Sequence, residues 1–323
     1  MQGRRGAERG AIMLRGVGIL SGAFLALFTQ IAAPAQMTLV DDGTRVSVID
    51  KSKPILTYRY GPETSHHGTP DSHFIFPLMG LSGEALLAES GASDGHSGVF
   101  WAWRNCRVGG RPMDVWTGTS ARRVFERWII QAATAERVDL GLQNAWILNE
   151  SGEAQVLETV RITVWPGTRK SRSVDVSVYL RNISYRLVEI GGLDDVQGFC
   201  LRLAPDLKNL TVSGGQGIVA DGVSSIMSPW VDLSYRDARH SSYSGLTIFQ
   251  HPENPGYAGR NWFFTPEGLL GAGIASSERY ELKPGEGLHF RYRLYIHDGF
   301  GPNQALDQLY GAYLNDVLEE KTG

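Results

Sequence analysis

Residues 173–180 read SVDVSVYL, and this stretch decides the fold. Apolar side chains occupy every second position from Val174 to Leu180. Because successive side chains of a β-strand point to opposite faces, the alternation predicts a strand with one buried face.

The period of two recurs along most of the chain, and glycine-rich turns separate the runs. The pattern places strands near residues 37–40, 44–50, 54–60, 73–79, 98–104, 122–131, 154–165, 173–181, 196–203, 230–235, 245–250 and 287–297. Many short strands indicate a sandwich or a barrel. We expect an all-β protein, a large antiparallel β-sandwich of the supersandwich type.

The C-terminal segment has a helical period instead. Pro302 suits a first turn, and an apolar stripe follows at intervals of three and four: Leu306, Leu309, Tyr310, Tyr313, Leu314 and Val317. This pattern predicts one amphipathic helix over residues 302–319 that packs on a sheet. Since no linker composition follows residue 40, residues 36–323 are predicted to form a single domain.

Residues 1–35 have the pattern of a secretory signal peptide. Arginines precede an apolar run from Val17 to Ala33, which ends in the small-residue sequence Ala33-Pro34-Ala35. The alternative is an uncleaved membrane anchor, although Gly18 and Gln30 are among the residues that dilute the run. We expect export to the periplasm or the extracellular space, with no membrane span after signal removal.

The net charge limits the classes of partner, and the two cysteines allow at most one disulfide. Removing residues 1–35 takes away four basic residues and one acidic residue, and the net charge changes from −3 to −6. This balance argues against nucleic acid or an anionic membrane as a partner. Cys106 and Cys200 either form one disulfide or stay two separate buried thiols.

Glu158 is the most informative carboxylate. Strand alternation over residues 154–165 places it on the same face as Val156 and Val160. A carboxylate on an apolar face must be paired, be protonated or line a cleft. Glu158 is therefore either part of an internal salt bridge or a general acid or base with a raised pKa.

The last strand and one loop provide further candidates. His289, Arg291, Arg293, Tyr295 and His297 share one face of the strand 287–297, which is either a solvated face or a floor that binds sugar hydroxyls or carboxylates. Residues 250–255, QHPENP, form a proline-stiffened loop that carries His251 and Asn254.

Other histidines lie near glycines and aromatic residues. His66, His67 and His73 fall within HHGTPDSH, but neighbouring histidines on a strand point oppositely, so His66 and His67 are not expected to share one metal ion. His73 opens a strand and could face His96 across a glycine-lined cleft. His96 runs into Val-Phe-Trp-Ala-Trp-Arg, residues 99–104.

The tryptophans divide into two sets. Trp101 and Trp103 share a strand face, and one or both belong to the core. Trp116, Trp230 and Trp262 lie near turns, where an aromatic ring could stack on the apolar face of a pyranose.

Four motifs in order carry a resemblance to a family. They are residues 73–78 (HFIFPL), 94–103 (DGHSGVFWAW), 245–255 (GLTIFQHPENP) and 291–299 (RYRLYIHDG). Together they resemble a family of exported bacterial proteins of unknown function labelled PmoA-like. That label names a membrane-bound oxygenase subunit, and this chain lacks its spans, so the label is not taken as a description of function.

The resemblance implies a large β-sandwich near exported sugar metabolism. Sandwiches related to aldose epimerases and polysaccharide lyases use a histidine and a carboxylate on a concave sheet, which would correspond to His96, His251 and Glu158. Family members more often carry paired histidines before the aromatic run, where this chain has His96 followed by Ser97.

Three functional hypotheses remain. The first is a carbohydrate-active enzyme that uses general acid–base chemistry on a glycoside or modified sugar and requires no cofactor. Its catalytic residues would be His96, Glu158 and His251, and its substrate-binding residues would be His73, Trp103, Arg104, Trp116, Asn254, Arg293 and His297. The second is a non-catalytic carbohydrate-binding protein. The third is a metal-dependent enzyme with His73, His96 and His251 as ligands.

Overall fold

Antiparallel strands make up most of the described chain. The computed structural model describes residues 37–61, 63–64, 70–71, 73–89, 96–192, 197–205, 207–219, 225–236, 242–257, 261–265, 268–272 and 279–322. These residues belong to one compact unit, Pro34–Gly323. The expected signal peptide and the pair His66 and His67 lie outside the described residues.

The strands are short at the N-terminal side and long in the middle of the chain. In chain order they are β1 (Met37–Asp41), β2 (Arg45–Asp50), β3 (Lys53–Arg59), β4 (Glu63–Thr64), β5 (Pro70–Asp71), β6 (Phe74–Leu78), β7 (Val99–Ala102), β8 (Arg107–Val108), β9 (Arg111–Pro112), β10 (Ala121–Ala133), β11 (Val138–Leu148), β12 (Ala154–Val164), β13 (Ser171–Asn182), β14 (Val188–Gly191), β15 (Gly198–Arg202), β16 (Lys208–Gly214), β17 (Gly217–Ile218), β18 (Ser225–Met227), β19 (Trp230–Arg236), β20 (Tyr243–Gln250), β21 (Asn261–Phe264), β22 (Leu269–Ala272), β23 (Arg279–Leu282) and β24 (Gly287–Asp298).

Two nine-stranded sheets form the sandwich. The first sheet has the order β1-β2-β3-β6-β7-β15-β22-β21-β18, and the second has the order β10-β11-β12-β13-β24-β20-β19-β16-β17. A four-stranded sheet (β23-β14-β8-β9) and the pair β4-β5 complete the strand pairing of the described residues. The predicted fold class, an antiparallel β-sandwich with a C-terminal helix, is confirmed.

The core lies between the inner faces of the two large sheets. In β13 the side chains of Val174, Val176, Val178 and Leu180 are buried, as the alternation predicts. Phe199 of the first sheet stacks on Tyr292 of the second, with ring centroids 4.2 Å apart. Because both faces of a sandwich are set by the same alternation, each strand also presents a second set of side chains on its outer face.

The C-terminal helix begins later than the sequence pattern predicts. Pro302 lies in a 3₁₀ turn, Gly301–Asn303, and Gln304 then adopts an extended conformation (φ −90°, ψ 153°). A continuous helix from residue 302 is therefore excluded, and α1 spans Leu306–Thr322. Leu306 and Tyr313 pack with Trp230 and Phe249 on the outer face of the second sheet.

Two smaller observations complete the fold. Cys106 and Cys200 are separate buried thiols rather than a disulfide. Among the helices that the structure describes, none is both long enough and apolar enough to cross a membrane.

Candidate functional site on the outer face of the first sheet

An aromatic cluster covers part of the outer face of the first sheet. The cluster alternates with core residues along four strands and consists of Phe74 of β6, Phe100 of β7, Cys200 of β15 and Leu269 of β22. Trp116, from the loop between β9 and β10, packs against it. A sheet face that points away from the core is ordinarily polar. We call this cluster, together with His96, Arg104 and Arg202, the outer-face site.

His96 lies among the rings of the outer-face site. Its imidazole stacks on Phe100, with centroids 4.3 Å apart and planes 10° apart. Trp116 meets the imidazole edge-on, with centroids 4.5 Å apart. The side chain is 8% exposed, and its Nε2 has no hydrogen-bond partner within the described part of the chain.

Two arginines flank this imidazole. The Arg104 guanidinium lies over the Trp116 ring, 4.4 Å from its centroid, in a cation–π arrangement. Arg202 is buried, and its Nε donates a hydrogen bond of 2.9 Å to the carbonyl oxygen of His96. Gln197 fixes the main chain at Arg104, because its Oε1 accepts a hydrogen bond of 3.2 Å from the Arg104 amide.

Burial and charge keep His96 neutral. Burial lowers the pKa of the imidazole to about 3, and the positive charges of Arg123, Arg202 and Arg104 act in the same direction. Asp114 opposes this shift but does not reverse it. Neutral imidazole has one donor and one acceptor nitrogen, so Nε2 can pair with a ligand in either role, according to the tautomer.

The Asp114 carboxylate stabilises the turn that contains Trp116. Its Oδ1 accepts hydrogen bonds from the amides of Trp116 (2.8 Å) and Thr117 (3.0 Å), and its Oδ2 accepts from the hydroxyl groups of Thr117 (2.5 Å) and Thr119 (3.2 Å). These bonds form an Asx-type turn, which positions the indole over the sheet.

His73 lies near the same charges. The residue is buried with a left-handed φ of 68°, and its amide donates to the Arg59 carbonyl oxygen (2.7 Å). Burial and the charge of Arg123 hold the pKa of His73 well below its usual range. Arg123 thus influences both His73 and His96.

Glu158 lies between the sheets rather than on the outer face. Its Oε1 accepts from Asn144 Nδ2 (2.8 Å), and its Oε2 accepts from Trp146 Nε1 (2.9 Å) and lies 4.0 Å from Arg123 Nη1. The side chain has no exposed surface. This is the internal pairing that the sequence left open beside an acid–base role.

Trp103 belongs to the same core. It is 1% exposed and packs against Trp146 (centroids 6.0 Å apart) and Phe290 (4.9 Å). Of these two tryptophans, Trp116 lies on the outer face and Trp103 lies in the core between the sheets.

The remaining expected site residues lie on the outer face of the second sheet, near α1. His251 meets the Tyr313 ring edge-on at 6.0 Å. Asn254 exchanges hydrogen bonds with the main chain of Arg291, at 2.7 and 2.9 Å. Both residues thus contribute to local structure around β24.

Arg293 and His297 are also paired on this face. Arg293 makes a bidentate pair with Asp175 (2.6 and 2.8 Å) and reaches Asp316 of α1 (2.7 Å). His297 Nε2 lies 2.8 Å from Asp232 Oδ1. The expected residues therefore fall into three groups, and only His96, Arg104 and Trp116 converge directly, with His73 near Arg123.

Arg202 and Phe100 are among the members of the outer-face site that were not identified from the sequence as site residues. Arg202 follows Phe199-Cys200-Leu201, and its alternation with Cys200 is the signal that places it on the outer face. Phe100 alternates with Val99 and Trp101 along β7, but its position opposite Cys200 is known only from the sheet register. In the portion of the chain that the structure describes, no group of three or more His, Cys, Asp or Glu side chains could hold a metal ion.

Comparison with known proteins gives a family but no activity. Residues 45–310 match the model of a family described as a family of unknown function (DUF6807), which confirms the expected membership of a family of unknown function. The search of curated proteins found no match.

Solved structures with partial similarity include three proteins with carbohydrate-related names. Heparan sulfate lyase HepC from Pedobacter heparinus is 11% identical, with a TM-score of 0.38 over 81% of this chain and 35% of that one. A putative kojibiose phosphorylase from the human microbiome is 8% identical, with a TM-score of 0.35 over 90% and 37%. A putative mutarotase, YeaD, from Salmonella typhimurium is 8% identical, with a TM-score of 0.29 over 81% and 90%. The chain spans about a third of the length of the first two, and similarity at this level assigns no activity.

Proposed function

The chain belongs to the DUF6807 family, whose function is unknown, and we propose that it is an exported carbohydrate-active enzyme whose site is the outer-face site. The observation that carries the proposal is the Nε2 atom of His96. It is a buried polar atom with no partner among the described residues, and it lies between two aromatic rings. Leaving such an atom unpaired costs about 1–3 kcal/mol, and a ligand hydroxyl group would remove that cost.

The surroundings of His96 suit a sugar. A pyranose presents apolar C–H faces and polar edges, and the site offers aromatic rings next to arginine and imidazole nitrogens. Phe76 and Phe263 extend the aromatic surface and are only partly buried. Arg104 is also partly exposed, so a ligand could reach its guanidinium from solvent.

Proton transfer is assigned to His96 alone in this proposal. A general base has to be unprotonated at the working pH, which burial and the arginines ensure for His96, but a pKa of about 3 also makes its imidazole a weak base in the empty site. Arg104 and Arg202 would anchor the substrate, and Trp116 would stack on it. The proposed chemistry requires no cofactor.

Glu158 and His251 have other roles in this proposal. Glu158 balances the charge of Arg123 in the core, and His251 packs beside α1. His251 and His96 lie on the outer faces of different sheets, so they are not placed to bind one metal ion together, as the metal-dependent hypothesis requires.

A second candidate function is non-catalytic carbohydrate binding. The enclosure of Glu158 favours it, because both oxygens of this carboxylate accept hydrogen bonds in the core. The outer-face site then lacks the second acid–base group that a hydrolase ordinarily uses.

Proton NMR with neutral and acidic oligosaccharides tests both functions. The comparison uses the wild-type protein, His96→Gln and the matched control His289→Gln, which changes an exposed histidine of β24. New anomeric or alkene signals that disappear only in His96→Gln would support the enzyme. Ligand line broadening without new signals would support binding alone. Product formation at the wild-type rate by His96→Gln, or no product and no broadening, would contradict the proposal.

Export is part of the same proposal. Residues 1–35 have the signal-peptide pattern, and we propose a periplasmic or extracellular location for a single domain of residues 36–323. Mass spectrometry of protein expressed with its own N-terminus tests this, because export predicts a chain that begins after Ala35. Recovery of the uncut chain from the membrane fraction would support the anchor instead.

A further inference from the structure

A pocket lies between the β16–β17 hairpin and the start of α1, on the outer face of the second sheet. Ser213 of β16 and Trp230 of β19 line its sheet side, and Leu306 and Asp307 of α1 line the opposite side. Gly215, in the hairpin turn, lies at its rim. We call this space the hairpin pocket, and its volume is about 200 Å³.

A second pocket adjoins the hairpin pocket and shares Gly215 and Asp307 with it. Its volume is about 290 Å³, and Met227 and Pro229 give it an apolar rim. Met227 is 58% exposed although it is a large apolar side chain. The two pockets together reach the size range of small-molecule sites, about 300–1,000 Å³.

Ser213 brings a buried hydroxyl group to the hairpin pocket. Val212 packs against the core, and Ser213, the next residue, lies opposite Asp232 on the outer face. The Ser213 side chain is 1% exposed, and its Oγ has no hydrogen-bond partner among the described residues. Buried hydroxyl groups are ordinarily paired, so this one indicates a ligand that completes its hydrogen bonding.

Asp307 brings a carboxylate to the same pocket. Its Oδ1 accepts a hydrogen bond of 2.9 Å from Trp230 Nε1, which holds the carboxylate beside the indole ring. Asp307 is exposed to solvent. Since an ionised carboxylate can accept several hydrogen bonds at once, it can pair with a ligand and with Trp230 together.

The charge of the lining selects the class of ligand. Among the described residues that line the two pockets, Asp307 is the only one with a formal charge. An anionic ligand would meet a like charge there. An ammonium group would gain little, because a pair with an exposed carboxylate is weak in water. Neutral hydroxyl groups both donate and accept, so they match Ser213 as well as Asp307.

We propose that the hairpin pocket is a second binding site, which takes a neutral sugar unit. The hydroxyl groups of the sugar pair with Ser213 Oγ and with the Asp307 carboxylate, and its apolar C–H groups contact Trp230 and Leu306. This inference goes beyond the proposed function, because the pocket lies on the other sheet and its arguments involve no residue of the outer-face site.

Protein NMR with the methyl glycosides of glucose, galactose and mannose tests the inference. The indole N–H of Trp230 borders the pocket, so we expect at least one glycoside to shift its resonance in a saturable manner. The indole N–H of Trp116 reports on the outer-face site in the same spectra. The absence of any shift at Trp230 with all three glycosides would overturn the inference.

Ser213→Ala gives the sharpest variant. It should weaken binding at Trp230 by about threefold to tenfold, because one hydrogen bond to the sugar is lost. The thermal midpoint should not fall, because the hydroxyl group that is removed has no partner in the free protein. Ser173→Ala, at a partly buried serine of β13, is the control and should change neither quantity.

Gly215→Leu tests the pocket by filling it. A Cβ at this position would make ordinary contacts with Ser228 (3.6 Å) and Pro229 (3.8 Å), so the side chain can be accommodated. We expect the affinity to fall by about tenfold or more. Gly311→Leu is the control on α1, where an added Cβ would meet nothing within 4 Å. Wild-type affinity in both Ser213→Ala and Gly215→Leu, with unchanged thermal midpoints, would overturn the site.

Charged probes test the assignment of a neutral ligand. Methyl glucuronide should bind about threefold or more weakly than the methyl glucoside, because its carboxylate faces Asp307. Equal or tighter binding of the glucuronide, or tighter binding of butylammonium than of every glycoside, would overturn this assignment.

The two indole signals separate this inference from the proposed function. A shift at Trp116 without a shift at Trp230 would overturn the second site and leave the outer-face site standing. A saturable shift at Trp230 that persists in His96→Gln would support the second site whatever the outer-face site binds. Loss of the Trp230 shift in a folded His96→Gln variant would overturn the independence of the two sites.

Discussion

His297 Nε2 lies 2.8 Å from Asp232 Oδ1, and the two side chains are 1% and 0% exposed. The same carboxylate accepts hydrogen bonds from Thr247 (2.7 Å) and from Ser234 (2.7 Å). Ser234 Oγ in turn accepts from the Gly301 amide, also at 2.7 Å. This polar cluster joins β19, β20 and β24 to the 3₁₀ turn that precedes α1.

Asp232→Ala should destabilise the protein strongly. The substitution leaves His297, Thr247 and Ser234 with buried polar atoms that have lost their shared acceptor. Removing one partner from a buried pair costs about 3–5 kcal/mol, so we expect a loss of that size in the free energy of unfolding. Urea denaturation at pH 7 measures it.

Glu281→Ala is the matched control for Asp232→Ala. Glu281 is an exposed carboxylate of β23, and its removal should change the free energy of unfolding by about 0.5 kcal/mol or less. Similar losses in the two variants would contradict a structural role for the Asp232 cluster.

The two carboxylates that pair with Arg293 should differ in their contribution to the free energy of unfolding. Asp175 makes the bidentate pair and also accepts from Trp165 Nε1 (2.7 Å), whereas Asp316 makes one bond and has half of its side chain exposed. Because exposed ion pairs contribute about 0–1 kcal/mol, Asp316→Asn should have a small effect. Asp175→Asn should have a larger one, about 2–4 kcal/mol.

Urea denaturation gives the two free energies for the Arg293 pairs. Hydrogen exchange of the α1 amides adds a local measurement, since loss of Asp316 should raise exchange in the helix without changing β13. A larger loss of stability in Asp316→Asn than in Asp175→Asn would contradict this order.

Glu158→Gln should lower the free energy of unfolding and have little effect on the activity of the folded protein. The amide keeps one acceptor but places an NH₂ group against the donors of Asn144 or Trp146, and Arg123 loses its counter-charge. We expect the free energy of unfolding to fall by about 3–5 kcal/mol. Glu136→Gln, at an exposed turn, should leave it within about 0.5 kcal/mol.

Activity measured on the folded fraction completes the Glu158 test. Since the carboxylate is sealed in the core, Glu158→Gln should retain turnover or binding per folded molecule within about threefold. A loss of more than about a hundredfold in a fully folded variant would assign Glu158 to the chemistry.

The sequence predicts well which side chains of a strand are buried, because these side chains alternate along the strand. Glu158 shares a buried face with Val156 and Val160, as the pattern over residues 154–165 requires. The same reasoning did not predict β11, because Gly141, Gln143 and Asn144 interrupt its apolar pattern. Glycine is needed at position 141, because a Cβ there would lie 2.7 Å from Ile130 Cγ2, next to the irregular register of β10.

The grouping of site residues could not be predicted in the same way. His96 and His251 both lie beside strands, and a strand pattern does not say which strands become neighbours. The order of the first sheet places β7 between β6 and β15, and this brings Phe100 and Arg202 to one surface with His96. The position of α1 on the second sheet covers the face that carries Arg293.

The neutral state of His96 predicts a loss of stability in mild acid. The pKa of this imidazole is about 3 in the folded protein, against about 6.5 in an unfolded chain. Between these values the unfolded state binds a proton that the folded state does not bind, so the free energy of unfolding falls as the pH decreases below about 6.5. From pH 7 to pH 5 the contribution of His96 is a loss of about 2 kcal/mol. The depressed pKa of His73 acts in the same direction.

Urea denaturation at pH 7 and pH 5 measures this effect. In His96→Phe the difference between the two pH values should shrink by about 2 kcal/mol, because the phenyl ring can still stack on Phe100 but takes up no proton. His289→Phe, at an exposed position, controls for the loss of a histidine. An identical pH dependence in the wild-type protein and in His96→Phe would show that the imidazole is charged or exposed in the folded state. In that case the buried neutral nitrogen on which the outer-face site depends would be absent.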